Sequence, residues 1–178
     1  ILCCSVSLQG ICQVDKEKII NFSWTEELTT LDPQKHMDVP AFFTHRHIFD
    51  PLIERTPDGG LKPMLATEWE YVNEKLLRLK LREGVKFHNG EEFTSEAVKF
   101  TIDRVKNPDN ASPQANLWER IESVKTPDKY SVEILLSEPY GPLLINLNLL
   151  EILPPSAGSN PDFFEHPVGT GPFKFVEW

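Results

Sequence analysis

Histidine is the residue type in this sequence whose spacing most suggests a metal site. His45 and His47 flank Arg46, and His36 and His88 lie elsewhere in the chain. Residues i and i+2 of a helix point to different sides, so His45 and His47 would not converge on one ion. Neither cysteine ligands nor an HExxH motif, which mark many zinc sites, accompany these histidines. The sequence therefore predicts surface or helix-capping histidines and no metal site.

The common catalytic motifs are also missing. The segment Gly169-Thr170-Gly171-Pro172 has closely spaced glycines, but a phosphate-binding loop needs Gly-Lys-Ser/Thr at the start of a helix, and a strand is expected here. No Gly-x-Ser-x-Gly elbow occurs, and the 27 acidic residues contain no carboxylate pair that spacing singles out. The sequence predicts no catalytic residue and no cofactor, which leaves a binding module and a fragment of an enzyme both open.

Composition narrows the class of protein further. The chain has 178 residues, of which 40% are hydrophobic and 25% charged, a balance typical of a globular domain. Its formal net charge of −9 argues against a nucleic-acid-binding protein, which needs a basic surface to displace counterions. No apolar run approaches the roughly 18 residues of a membrane-spanning helix.

All three cysteines lie at the beginning of the chain, at Cys3, Cys4 and Cys12. Residues 1–12 are apolar and small, and the sequence turns polar directly afterwards, which is typical of the end of a secretory signal peptide. The alternative is a buried first strand. A lipoprotein site is not favoured, because Gln9 and Ile11 stand where an aliphatic and a small residue would precede Cys12. The signal-peptide interpretation predicts an extracytoplasmic protein.

Hydrophobic periodicity predicts helices and strands in an α/β or α+β order. A period of two predicts five strands, at residues 19–24, 77–82, 121–125, 130–136 and 173–178. A helical period, with capping and stop signals, predicts three helices, at residues 39–49, 94–107 and 143–150. In the first helix, Phe42, Phe43 and Phe49 are expected to form the apolar face.

The order of several short motifs resembles a known family. These motifs are Thr30-Leu31-Asp32-Pro33, Ile48-Phe49-Asp50-Pro51-Leu52, Leu81-Arg82-Glu83-Gly84-Val85-Lys86-Phe87-His88-Asn89-Gly90 and Val168-Gly169-Thr170-Gly171-Pro172. Together they resemble the family 5 extracellular solute-binding proteins, over residues 19–178. The resemblance implies an N-terminal fragment of a type II periplasmic-binding-protein fold, with a mixed sheet and an inserted α+β subdomain. Residues 13–53 would begin lobe I, residues 54–166 would form the subdomain, residues 167–178 would return to lobe I, and lobe II would lie beyond Trp178.

The resemblance also implies a function. Members bind a solute, most often a peptide, and deliver it to the permease subunits of an ABC transporter, without acting as enzymes and without nucleic acid. The same family carries nickel chelates and other small solutes, which is the closest alternative, and an enzyme fragment is the alternative of another class. The protein would be periplasmic or extracytoplasmic, and associated with the membrane only through the transporter or a lipid anchor.

The resemblance further implies where the solute is bound. The loop after the Leu-Asp-Pro turn corresponds to Met37, Asp38 and Val39, which would contact the solute mainly through their backbone. A segment of the inserted subdomain that faces the ligand corresponds to Leu117 and Trp118. For Trp118, a wall on which the solute stacks and a core aromatic are both open.

Overall fold

The computed structural model describes residues 28–160 and 162–177. Residues 1–12 and the strand predicted at residues 19–24 lie outside the described residues. The α-helices are α1 (Val39–Ile48), α2 (Ser95–Lys106) and α3 (Leu143–Asn146), and short 3₁₀ helices occupy Pro108–Asn110, Ala115–Leu117 and Pro155–Gly158. The strands are β1 (Ile53–Arg55), β2 (Leu61–Pro63), β3 (Ala66–Asn73), β4 (Leu76–Leu81), β5 (Ile121–Asp128) and β6 (Ser131–Leu136).

The centre of the described fold is a four-stranded sheet in the order β3-β4-β6-β5, in which all neighbours are antiparallel. In β4 the leucines at 77, 79 and 81 are buried and the residues between them are exposed, which confirms the half-buried strand that alternation predicts. Its neighbour β6 buries Val132, Ile134 and Leu136 on the same face. A separate antiparallel hairpin is formed by β1 and β2.

Helix α2 covers the apolar face of this sheet. Val98, Ile102 and Val105 recur at the helical period and are fully buried in the main core. The helix begins where its sequence predicts, but the expected capping hydroxyl does not cap it. Thr94 at the N-cap makes no side-chain capping bond, and the hydroxyl of Ser95 donates instead to the carbonyl of Asp128. The helix terminus is thus tied to the β5–β6 turn.

Helix α1 has a different buried face from the one predicted. Asp38 caps its N-terminus by accepting a hydrogen bond from the amide of Ala41 at 2.8 Å. The buried positions of the helix are Ala41, His45 and Ile48, whereas Phe43 is 41% exposed. Of the predicted phenylalanine face, Phe49 at the C-cap is fully buried and Phe42 is partly buried, but the prediction was wrong for Phe43. His45 takes a buried position instead, four residues after Ala41 and three before Ile48.

Within the strand predicted at residues 173–178, the described residues 173–177 do not form a strand. Residues 173–177 are irregular, and no described strand runs beside them to complete a ladder. The chain is held instead at the end of α1, where the amide of Gly171 donates to the carbonyl of Ile48 at 2.8 Å and that of Phe173 donates to His47 at 2.9 Å. None of the described helices combines the length and the apolar character that crossing a bilayer requires.

Candidate functional site

A groove with a volume of about 250 Å³ lies between the start of α1 and the 3₁₀ helix at Ala115–Leu117. Four of the five predicted site residues line it, namely Met37, Asp38, Val39 and Leu117. The remaining lining comes from His36, Phe42, Gln114 and Leu149. Residues separated by about 80 positions in the sequence therefore meet at one surface.

Hydrogen bonds hold the two sides of the groove together. The side-chain amide of Gln114 donates to the carbonyls of Pro33 and His36, both at 2.9 Å, and the hydroxyl of Ser112 donates to the carbonyl of Gln34 at 2.6 Å. Because these bonds are buried, they restrict the loop that leads to Met37. The groove wall is therefore positioned before any ligand arrives.

The same loop is tied to α2 by an ion pair. The guanidinium of Arg104 donates to both carboxylate oxygens of Asp32, at 3.1 and 2.6 Å, and also to the side-chain oxygen of Gln34 at 2.6 Å. The bidentate geometry fixes the orientation of the loop as well as its distance from the helix. The Leu-Asp-Pro turn thus connects the groove to the scaffold.

The mouth of the groove exposes large apolar side chains. Met37 is 63% exposed and Val39 is 73% exposed. Clustered exposed apolar groups are typical of binding surfaces. The groove can therefore accept an apolar side chain of a ligand while the backbone of the loop remains close to it.

The structure decides between the two interpretations of Trp118. Its side chain is fully buried and belongs to the main core. The ring therefore has no surface on which a solute could stack, and the stacking wall is corrected to a core aromatic. Its neighbour Leu117 is only partly buried and reaches the groove, because adjacent residues of the short 3₁₀ helix and its cap point in different directions.

A buried polar cluster lies directly behind the loop. The His36 Nε2 and His45 Nδ1 atoms are 2.9 Å apart, and each is 4.0 Å from Oε2 of Glu151. The prediction that these histidines lie at the surface was wrong for His36 and His45, which are both buried. They converge because the loop before α1 folds back over the helix, a geometry that spacing within the helix cannot predict.

Sequence reasoning missed Glu151, although the sequence contains a signal for it. Glu151 is the single charged residue in the run Leu149-Leu150-Glu151-Ile152-Leu153. A carboxylate inside an apolar run is buried with its neighbours and needs a partner. The other three histidines stay outside the cluster. His47 Nδ1 contacts the carbonyl of Phe43, and His88 Nε2 contacts that of Gly171.

Burial controls the charge of the cluster. Burial raises the pKa of Glu151 well above its usual value, and the nearby Arg46 guanidinium opposes this rise. Burial also lowers the pKa of His36, and burial together with His36 lowers the pKa of His45 to about 4. Both imidazoles are therefore neutral at pH 7, and one donates a hydrogen bond to the other across the 2.9 Å between His36 Nε2 and His45 Nδ1.

Acidification is expected to remove the stability that neutral His45 contributes. Its folded-state pKa of about 4 lies below the ordinary 6.5, so the unfolded chain takes up the proton first as the pH falls. This contribution is complete above pH 6.5 and is lost as the pH falls through 4. The free energy of unfolding of the wild type relative to His45→Gln should decrease by about 3 kcal/mol between pH 7 and pH 4. Urea denaturation at the two pH values measures it, and a constant difference would contradict the prediction.

A larger concavity elsewhere offers a weaker candidate site. It has a volume of about 490 Å³ and covers the outer face of the sheet, near Glu70, Arg78 and Lys80. Its charged side chains already pair with one another, as in the contact of 2.9 Å between Arg78 and Glu70. Exposed pairs of this kind are ordinary features of a solvated sheet face.

Comparison with known proteins identifies a family that this chain matches. The family described as "Bacterial extracellular solute-binding proteins, family 5 Middle" matches residues 60–178. The glutathione-binding protein GsiB of Pectobacterium atrosepticum is 34% identical over 157 residues, which cover 84% of this chain and 30% of that relative. The chain thus spans about a third of the length of the curated relatives that it matches.

Solved structures resemble the chain to a similar extent. NikZ from Campylobacter jejuni, in complex with Ni(L-His), matches with a TM-score of 0.78 and 31% identity, covering 86% of this chain and 32% of that one. The oligopeptide-binding protein AppA from Bacillus subtilis, in complex with a nonapeptide, matches with a TM-score of 0.81 and 26% identity. The match covers 85% of this chain and 32% of AppA.

Proposed function

Because the chain belongs to family 5 of the bacterial extracellular solute-binding proteins, we propose that it forms one wall of a cleft that binds a small solute, most often a peptide. The solute is then delivered to the permease subunits of an ABC importer, without chemical change. The curated relatives are longer than this chain, which covers 30% of GsiB, and residues outside the matched segment would supply the opposite wall.

The single observation that carries the proposal is the groove. Met37, Asp38, Val39 and Leu117 were assigned to the solute through the family resemblance, and they line one surface although the loop and Leu117 are far apart in sequence. The groove is apolar at its mouth and its loop is held by buried hydrogen bonds. A preformed wall of this kind suits a ligand that is held and released rather than converted.

The choice of a peptide rests on two supports. GsiB is named for glutathione, a tripeptide, and the AppA complex contains a nonapeptide. An extended peptide can pair through its backbone with an exposed segment such as residues 37–39 and place a side chain in an apolar groove. A nickel chelate is the alternative, because the NikZ complex contains Ni(L-His). The location that follows is the periplasm or another extracytoplasmic space.

Filling the groove is expected to abolish solute binding. Val39→Trp places a large ring at the mouth, where Val39 is 73% exposed, so the fold should tolerate the change. The complete gene product is screened by calorimetry against glutathione, di- to nonapeptides and the nickel–histidine complex. We expect a peptide to bind, and its Kd to rise by at least about tenfold in Val39→Trp.

The matched control is Val176→Trp, since Val176 is 82% exposed and does not line the groove. This variant should bind the same peptide with the Kd of the wild type. Binding of the nickel complex without any peptide would replace the proposal with its alternative. Binding of no member of the panel, or equal loss in both variants, would contradict the groove as the binding wall.

A further inference from the structure

The buried cluster behind the groove has the geometry of a metal site. The atoms His36 Nε2, His45 Nδ1 and Glu151 Oε2 form a triangle with sides of 2.9, 4.0 and 4.0 Å. The point equidistant from its corners lies about 2.1 Å from each atom, which is the length of a zinc–nitrogen or zinc–carboxylate bond. Tetrahedral zinc with bonds of this length needs ligand atoms about 3.4 Å apart, so the two imidazoles would move apart and the carboxylate would approach by roughly half an ångström.

The carboxylate of Glu151 lacks the partners that its burial demands. Its side chain is 1% exposed, and neither oxygen accepts a hydrogen bond from any described residue. The nearest cationic atom, Nε of Arg46, is 3.9 Å from Oε1 and also makes no hydrogen bond. A buried carboxylate without hydrogen bonds is costly, and coordination of a cation is one of the few ways to offset that cost.

The surrounding groups orient the ligand atoms. His45 Nε2 lies 3.1 Å from the carbonyl of Thr30, so this nitrogen carries the proton and Nδ1 presents its lone pair to the cluster. His36 Nδ1 is unpartnered and lies 4.0 Å from Oδ2 of Asp38. Without an ion, His36 Nε2 donates to His45 Nδ1; in the bound state this proton would stand on Nδ1, facing the Asp38 carboxylate, so that Nε2 coordinates. Both imidazoles thus have a carbonyl or carboxylate on the outer side.

We propose that His36, His45 and Glu151 bind one divalent transition-metal ion, with zinc as the best match. Two imidazoles and one carboxylate are the ligand set of zinc and related ions, whereas calcium and magnesium require oxygen ligands. The ion would be resident rather than transported, because the three side chains are at most 2% exposed.

The site would stiffen the groove. His36 precedes Met37 in the loop, His45 lies in α1, and Glu151 follows α3, so one ion would cross-link three separate segments. The loop that forms the groove wall would be anchored from behind. Of the three ligands only His36 also lines the groove, and its side chain is 2% exposed, so zinc binding here does not depend on which solute the groove binds.

A zinc titration tests the site. Cys3, Cys4 and Cys12 could bind metal themselves, so a variant with all three changed to serine serves as the reference. After removal of metal with EDTA, calorimetry with Zn²⁺ should show one saturable equivalent, and the melting temperature of the reference should rise with Zn²⁺. In the same background, Glu151→Gln and His45→Gln should weaken binding by at least about 100-fold.

Two controls separate zinc binding at this cluster from loss of folding and from binding to a nearby histidine. Glu151→Gln keeps the shape of the side chain, and a native circular-dichroism spectrum with a cooperative melt in the absence of metal shows that loss of zinc binding is not loss of folding. His47→Gln changes a histidine of the same helix outside the cluster and should bind zinc as the reference does. The proposal is overturned if the reference binds no saturable equivalent, if Glu151→Gln binds within about tenfold of it, or if His47→Gln loses the site.

Discussion

Replacing Gly169 with alanine should destabilise the protein by about 3 kcal/mol or more, because the methyl group has no space. A Cβ atom at this position would lie 2.0 Å from the carbonyl oxygen of Ile48 and 2.8 Å from Cδ1 of Phe49. The oxygen cannot withdraw easily, since the amide of Gly171 donates to it. The free energy of unfolding from urea denaturation measures the effect.

Gly141→Ala is the matched control for this substitution. A Cβ at Gly141 meets nothing within 4 Å, and its backbone does not require a positive φ. Its effect should stay within about 0.5 kcal/mol of zero. If Gly169→Ala were as stable as Gly141→Ala, the close contact between the Gly-Thr-Gly-Pro segment and the end of α1 would be wrong.

Trp118→Ala should cost about 3 to 5 kcal/mol of stability, because it removes the largest fully buried side chain of the main core. Urea denaturation followed by circular dichroism measures the loss. The result also distinguishes a core aromatic from a ligand contact, since an exposed stacking residue would affect solute binding with little effect on folding.

Tyr71→Ala provides the comparison for Trp118→Ala. Tyr71 is 42% exposed on strand β3, so its truncation should cost less than about 1.5 kcal/mol. Equal losses for the two aromatic residues, or a small loss for Trp118→Ala, would contradict the burial of the indole ring.

The sequence predicts those helices and strands whose own residues show a clear hydrophobic periodicity. Strand β4 shows alternating leucines and helix α2 a regular apolar stripe, and both appear within a few residues of the predicted bounds. The α/β fold of type II periplasmic binding proteins, expected from the resemblance, is confirmed by the solved neighbours. The lobe and subdomain boundaries stay predictions.

Elements that depend on a neighbour were harder to predict. Strand β3 (Ala66–Asn73) is an edge strand whose residues are mostly exposed, so it lacks an apolar alternation and its pairing with β4 is what makes it a strand. The segment at residues 173–177 is apolar enough for a strand, yet no described strand lies beside it.

The candidate site also has one part that the sequence predicts and one part that depends on the tertiary fold. The resemblance assigned the loop at residues 37–39 and Leu117 to one site, and they do line one groove, but their contact with the solute stays a prediction. The cluster of His36, His45 and Glu151 was missed, because its members come from three segments and their convergence is a property of the tertiary fold.

The proposed function depends most on the groove between the start of α1 and Leu117, and one ratio tests it most directly. This is the Kd of a bound peptide for Val39→Trp divided by its Kd for Val176→Trp, measured by calorimetry on the complete gene product. We predict a ratio of about ten or more, because the indole ring introduced at position 39 fills the groove and the one at position 176 does not. A ratio of one would show that the solute is bound elsewhere.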